Sequence, residues 1–206
     1  MKLSFPRSVA WCLAAGSLCL APLARAQKGN SLIIPGKSLG EIELGMDEKV
    51  VWKKLGESNT GEAAAGSHWN AWFAPTEKGR GAELDIHTSG VSDHSDGPAV
   101  TWVRAESTFF HTKEGVSTGS SLAEIWKAFP NLRFSNTDSR DAAVEFYADG
   151  SQGIAVEVRR TRTTADSSGA PDEAWGICRA IVVFSPREYQ AGSLPNIHSM
   201  RDLPDQ

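Results

Sequence analysis

A pattern that recurs along the chain limits its architecture more than any other feature. Residues 44–56 read LGMDEKVVWKKLG, and residues 118–130 read TGSSLAEIWKAFP. At an offset of 74 positions, Gly45 matches Gly119, Trp52 matches Trp126 and Lys53 matches Lys127. Val51 then faces Ile125, and Leu55 faces Phe129. Both segments open as helices do, because a side-chain oxygen at the N-cap satisfies a backbone N–H that would otherwise lack a partner. Asp47 can cap the first. Ser121 with Glu124 makes an S-x-x-E capping box on the second. Val51, Trp52 and Leu55 form one apolar face, repeated by Ile125, Trp126 and Phe129, so both tryptophans are expected in the core. Gly56 and Pro130 end the helices, each by its own chemistry.

The segments C-terminal to the two helices also correspond. After the first come SHWNAWF, AELDIHT and AVTWVRAES; after the second come AVEFYAD, GIAVEVR and ICRAIVVFS. These runs are short, rich in β-branched and aromatic residues, and bounded by Gly, Asp or Ser, which reads as strands. Leu84 and Ile86 alternate with Glu83, Asp85 and His87, and Ile154, Val156 and Val158 with Ala155, Glu157 and Arg159. Period-2 alternation is the mark of a sheet with one packed face and one wet face. Asp149-Gly150 is a hairpin-turn dipeptide. Thr88–Pro98 and Arg162–Asp172 are polar and turn-rich, and read as loops. The expected fold class is therefore α+β, as two tandem modules, each a helix packed on a small antiparallel sheet. The first spans residues 27–112 and the second 113–190, with an irregular tail over 191–206.

These residues carry a resemblance. The phrase IPGKSLGEIELGMDEKVVWKKLG, the Gly-Ser-Ser-Leu helix start and the closing IVVFSP strand resemble the tandem-repeat relatives of the β-lactamase inhibitory protein. The G-M-x-x-x-x-V…LG helix is also similar to small outer-membrane assembly lipoproteins of the BamE type. The likeness runs from Ile34 to Pro186. It implies two helix-plus-sheet modules side by side, an interaction role and no chemistry. The inhibitor's internal disulfides and the lipoproteins' lipidated cysteine have no counterpart here. What carries over is the architecture, not β-lactamase inhibition.

The N-terminus sets the compartment. Lys2 and Arg7 precede an uncharged run from Val9 to Leu23, and Ala24-Arg25-Ala26 supplies an A-x-A site. These are the three parts of a cleavable secretory signal, with cleavage expected after Ala26. The apolar run is 15 residues, short of the roughly 20 that span a bilayer, so no transmembrane segment is expected. Cys12 follows Trp11 and Cys19 follows Leu18, both too bulky for a lipidation site. Without residues 1–26 the chain keeps 18 basic and 25 acidic side chains, a formal charge of −7. That balance opposes nucleic acid, whose binding needs cationic contacts to phosphates. Cys178 alone remains after cleavage, within ICRAIVVF, and reads as a buried thiol. A bacterial periplasmic or secreted protein is expected.

Catalytic motifs do not hold up. Gly36-Lys37-Ser38-Leu39-Gly40 matches G-x-S-x-G, but that elbow needs a strand-to-helix turn with earlier strands before it. Here the motif reads as a polar turn before a short strand. Asp85, His87, Asp93, His94 and Asp96 form the one local cluster of metal-ligand types. The competing reading is the wet side of a strand followed by a solvated loop. No C-x-x-C or H-E-x-x-H is present, and no cofactor is expected.

Tryptophan is in surplus: Trp52, Trp69, Trp72, Trp102, Trp126 and Trp175 lie beyond residue 26. Trp69 and Trp72 differ in strand parity, so a regular strand cannot bury both on one face. Trp102 shares parity with Arg104 and Glu106, on the side read as wet. The expected function is an exported, non-catalytic module that binds another protein through a sheet surface, with Trp72, Trp102, Arg104 and Tyr147 as candidate contacts. The alternative is a small secreted metal-binding protein or hydrolase using Asp85, His87 and His94. Oligomeric state is left open.

Overall fold

A single eight-stranded antiparallel sheet runs through both halves of the chain. The computed structural model describes residues 30–73, 83–90, 97–160 and 176–187. In chain order the elements are β1 (Leu32–Ile34), β2 (Ser38–Leu39), β3 (Ile42–Glu43), α1 (Glu48–Leu55), β4 (Thr60–Ala64), β5 (Ser67–Phe73), β6 (Glu83–Ser89) and β7 (Ala99–Glu106). Next come β8 (His111–Thr112), α2 (Leu122–Ala128), β9 (Arg133–Thr137), β10 (Val144–Asp149), β11 (Ile154–Arg159) and β12 (Ile177–Phe184). The large sheet has the order β4-β5-β6-β7-β12-β11-β10-β9, and a small one the order β3-β2-β1-β8.

The expectation of two tandem helix-plus-sheet modules in an α+β fold is thereby corrected. Each half does supply a helix and four strands of the large sheet. The last strands of the halves, however, pair with each other: Ile181 faces Ala105, Val182 Arg104, Val183 Val103 and Phe184 Trp102. Backbone groups that would have ended two separate sheets are satisfied across this seam. Among the described residues the fold is mostly β, and the two helices, of 8 and 7 residues, are too short to cover a sheet each. One apolar core unites residues of both halves with the small sheet, from Ile33 and Leu39 through Val51, Ile86 and Val103 to Ile125, Val156, Ile181 and Val183.

Both helices start where the caps predict. Asp47 accepts from the Lys49 N–H at 2.7 Å, and the Ser121–Glu124 box closes in both directions, at 3.3 and 2.7 Å. The two helices then differ in how they dock. α2 buries Leu122 and Ile125. α1 buries only Val51 and is otherwise held by Glu48, whose carboxylate accepts from Thr88 Oγ1 at 2.9 Å and Asn70 Nδ2 at 3.3 Å, and meets His68 Nδ1 at 2.8 Å. Trp126 is half-buried against Tyr147. Trp52, expected in the core, stands 38% exposed.

The turn after β10 couples the two sheets. Asp149 Oδ1 accepts from the Ser151 and Gln152 N–H groups, and the Gly153 carbonyl accepts from both Gly36 and Phe184. Gly153 has φ +72°, and a Cβ there would lie 2.3 Å from the Phe184 oxygen and 2.7 Å from Gly36 Cα, so only glycine fits. Ser38 of the G-x-S-x-G match lies within β2, 3% exposed, paired with Glu43. It is not raised on a strand-to-helix turn. None of the described helices is long and apolar enough to cross a membrane.

Candidate functional site

Strand parity divides the large sheet's side chains between the helix side and an opposite side. On the opposite side β6 brings Glu83, Asp85 and His87, and β7 brings Trp102, Arg104 and Glu106. Asp85 lies beside Arg104, His87 beside Trp102, and Glu83 beside Glu106. Across the seam come Val182 and Phe184 of β12, then Glu157 of β11. Alternation in these strands correctly assigns which residues share a side and misassigns the water. Arg104 is 0% exposed, Asp85 1%, Glu157 2% and Trp102 4%.

A fully buried guanidinium survives only where carboxylates surround it. Arg104 donates from one terminal nitrogen to Asp85 Oδ2 at 2.7 Å and from Nε to Glu157 Oε2 at 3.0 Å. Its other terminal nitrogen lies 2.8 Å from Glu157 Oε2 and donates to Glu106 Oε2 at 3.3 Å. Glu83 stands 4.0 Å away. Arg179 Nε adds a second cation, 3.3 Å from Glu157 and 3.7 Å from Glu106. Burial works against the charge on Arg104, but Glu157, Asp85, Glu83 and Glu106 outweigh it and hold it protonated. Four carboxylates face two guanidinia. Burial, with Glu83 alongside, pushes Asp85 up to about 8 despite the pull of Arg104.

Beside this network lies an aromatic row. The His87 ring is stacked on Trp102 with 5.3 Å between centroids, and Trp69 lies 4.7 Å from its other side at a tilt of 52°. His87 Nδ1 is hydrogen-bonded to Thr101 Oγ1. Burial, and then the nearby His68, lower His87 to about 4, so its ring is neutral at pH 7. Trp102, Val144, Phe146, Ala148, Ala155, Val182 and Phe184 complete an apolar cluster on this side, with Trp69 at its margin.

The four expected contact residues do not converge. Trp102 and Arg104 lie in this buried layer. Trp72 and Tyr147 lie on the helix side, in opposite halves. The Trp72 Nε1–H donates to the Gly56 carbonyl at 3.2 Å. The Tyr147 hydroxyl donates to Glu145 at 2.8 Å, and its ring meets Trp126 and Phe134 edge-on. Burial raises the Tyr147 phenol, and Glu145 adds to that. Among the metal candidates, Asp85 is bound to Arg104 and His87 to Thr101. No group of three or more ligating side chains converges among the described residues. Asp93, His94 and Asp96 lie outside the described residues, as do residues 1–26, the polar run 162–172, Trp175 and residues 191–206.

What this arrangement can do is hold itself together. Its acids and cations are spent on one another, and Cys178 is buried with its thiol pushed up by desolvation. Sequence reasoning misses Glu157 and Glu83 as partners of Arg104, and Arg179 as the second cation on Glu157 and Glu106. The available signal is Glu157 inside GIAVEVR, an acid in an apolar strand that demands a countercharge. It also misses the exposed side chains Trp52, Leu55 and Val50 on α1 and Phe134 on β9, at 38, 36, 42 and 55%.

No family model matches the chain, and no curated protein does. Among solved structures it is similar to the crystal structure of the uncharacterized protein yfeY from Escherichia coli. The two are 13% identical, with a TM-score of 0.44, over 73% of this chain and 98% of that one.

Proposed function

We propose that the chain is an exported, non-catalytic protein-binding module, inhibitor-like or associated with the cell envelope. One observation carries the reading: Trp52 keeps 38% of its surface in solvent on a short helix, with Leu55 beside it at 36%. Residues three apart share a side of a helix, and tryptophan is enriched among the residues that dominate binding energy. Lys49 and Lys53 flank this apolar pair. Among the described residues, the buried acids and guanidinia of the large sheet are engaged with one another. Residues 1–26 support export to a bacterial periplasm or medium.

Residues 27–206, immobilised and exposed to the host's own envelope and culture fluid, are expected to enrich one protein in near-stoichiometric amount. A Trp52→Ser, Leu55→Ser bait of unchanged melting temperature is expected to lose it. A partner that the double variant retains would move the site off α1. No enrichment from either source would overturn the binding reading.

A further inference from the structure

Among the described residues the large sheet is open and ends in two edges, and an edge strand offers unpaired N–H and C=O groups to any extended chain. The edges are β4 and β9, and they are treated differently. β9 is irregular: the register shifts opposite Phe146 and Tyr147, leaving Ser135 unmatched, and a bulge there breaks the outward row of groups. β4 reads TGEAA, exposed along its whole length, paired without a shift from Thr60–Ala71 to Ala64–Ser67. It has no proline, no lysine and no large apolar side chain.

The turn fixes which groups face outward. Ala65 and Gly66 both have positive φ, 51° and 79°, the signature of a type I′ two-residue hairpin. The flanking pair in such a hairpin, Ala64 and Ser67, exchanges both hydrogen bonds, and pairs alternate from there. Glu62 and Thr60 therefore point their backbone groups at β5. Gly61 and Ala63 point theirs away from the sheet. Gly61 also cannot be enlarged, since a Cβ would lie 2.5 Å from Asn70 Oδ1 and 3.1 Å from the Trp69 oxygen.

Charge selects the occupant. Two copies pairing β4 to β4 in the fully overlapped antiparallel register would set Glu62 against Glu62. That pair is of the non-hydrogen-bonded kind, in which side chains stand closest, and like charges directly opposite are destabilising. A cation in the same place is stabilising. We infer that the outer edge of β4 is a strand-addition site, taking an extended segment of a partner protein with a lysine or arginine opposite Glu62. This rests on the protein-binding reading and names how the partner is held.

The probes are two capped peptides, Thr-Val-Thr-Lys-Thr-Val-Thr and the same with glutamate for lysine, titrated into the purified protein and followed by backbone amide NMR. The lysine peptide is expected to shift the Gly61 and Ala63 amides and to bind about two- to fivefold tighter than the glutamate one. Ala63→Pro removes an outward donor without touching the β4–β5 ladder, and is expected to weaken binding about tenfold. Glu62→Lys, on an exposed side chain, should invert the peptide preference, which a merely misfolded edge would not do. Unshifted Gly61 and Ala63 amides, or equal response to both peptides, would overturn the inference. So would a dimer of the protein alone that Ala63→Pro dissociates, since the occupant would then be a second copy. In the capture assay, a partner kept by Ala63→Pro but lost by the α1 double variant would sink the edge and spare the binding reading. A blank capture with an intact peptide response would do the reverse.

Discussion

Replacing Arg104 by methionine keeps the side chain long and removes the central cation of the buried network. Three carboxylates, Asp85, Glu106 and Glu157, lose hydrogen bonds from it, and Glu83 loses a charge 4.0 Å away. Breaking a buried ion pair from one side costs about 3–5 kcal/mol. With several acids stranded at once, Arg104→Met falls in the upper part of that range. For a chain of this length each kcal/mol lowers Tm by about 2–4 °C, which gives a drop on the order of 8–20 °C. The penalty has a defined pH dependence. Stranded acids have folded-state pKa values above their unfolded ones, near 4. Their destabilisation is absent below about pH 4 and grows as pH rises toward the folded-state values. Urea unfolding of parent and Arg104→Met at pH 4.5 and 7.5 is therefore expected to show a gap that widens with pH. Adding Asp85→Asn and Glu157→Gln should recover a large part of it at pH 7.5. A loss under about 1 kcal/mol, or a gap independent of pH, would refute the reasoning, because only a hydrated network behaves so.

Trp102→Ala is expected to cost about 3–5 kcal/mol, because the indole is 4% exposed among Phe184, Val182 and Phe146; Trp52→Ser should cost about 0.5 kcal/mol or less, and urea melts of the two separate core from surface. His87 should titrate by NMR near 4 rather than 6.5. With its folded-state pKa depressed, it contributes stability that is present above about pH 6.5 and lost as pH falls toward 4, and a Cε1 titration midpoint above 6 would contradict its burial between Trp69 and Trp102. Cys178, 1% exposed with a raised thiol pKa, should resist an aromatic disulfide reagent at pH 8 until denaturant is added; one rapid equivalent in the native state would show that the strand frays.

Much of the local structure is legible in the residues. The caps at Asp47 and Ser121 are where the chain says, and six strands fall close to their apolar runs. Trp69 and Trp72 take opposite sides, as parity requires. β4 and β9 leave no such trace: Thr60–Ala64 carries no β-branched run, and it is a strand because the Ala65–Gly66 turn folds it onto β5. The seam is invisible for another reason, since nothing local marks which edge of β7 will meet β12. Alternation reports residue type rather than water, so Asp85, Arg104 and Glu157 read as wet when they are buried together. Trp52 misleads because Glu48 and Val51 define the inward side of α1, and a residue one position beyond Val51 is turned by about 100°. Trp102 and Arg104 look like a contact surface because of a chemistry that the fold uses for itself.

The β7–β12 seam also sets an order of events. It joins Trp102 to Phe184 and Ala105 to Ile181, the longest-range strand pairing in the sheet, and β12 is the last described element to be synthesised. Until it arrives, β7 is an edge. Arg104 then has Glu83, Asp85 and Glu106 from its own half but not Glu157, and Glu106 lacks Arg179. Contacts so distant along the chain must meet their loop-closure entropy before they return any energy, which slows folding. A first half folded ahead of β12 is thus a sheet with one side unclosed and its charges only part matched. Completion is a single late step, in which one strand closes the hydrogen-bond ladder and, with β11, fills out the carboxylate shell of Arg104.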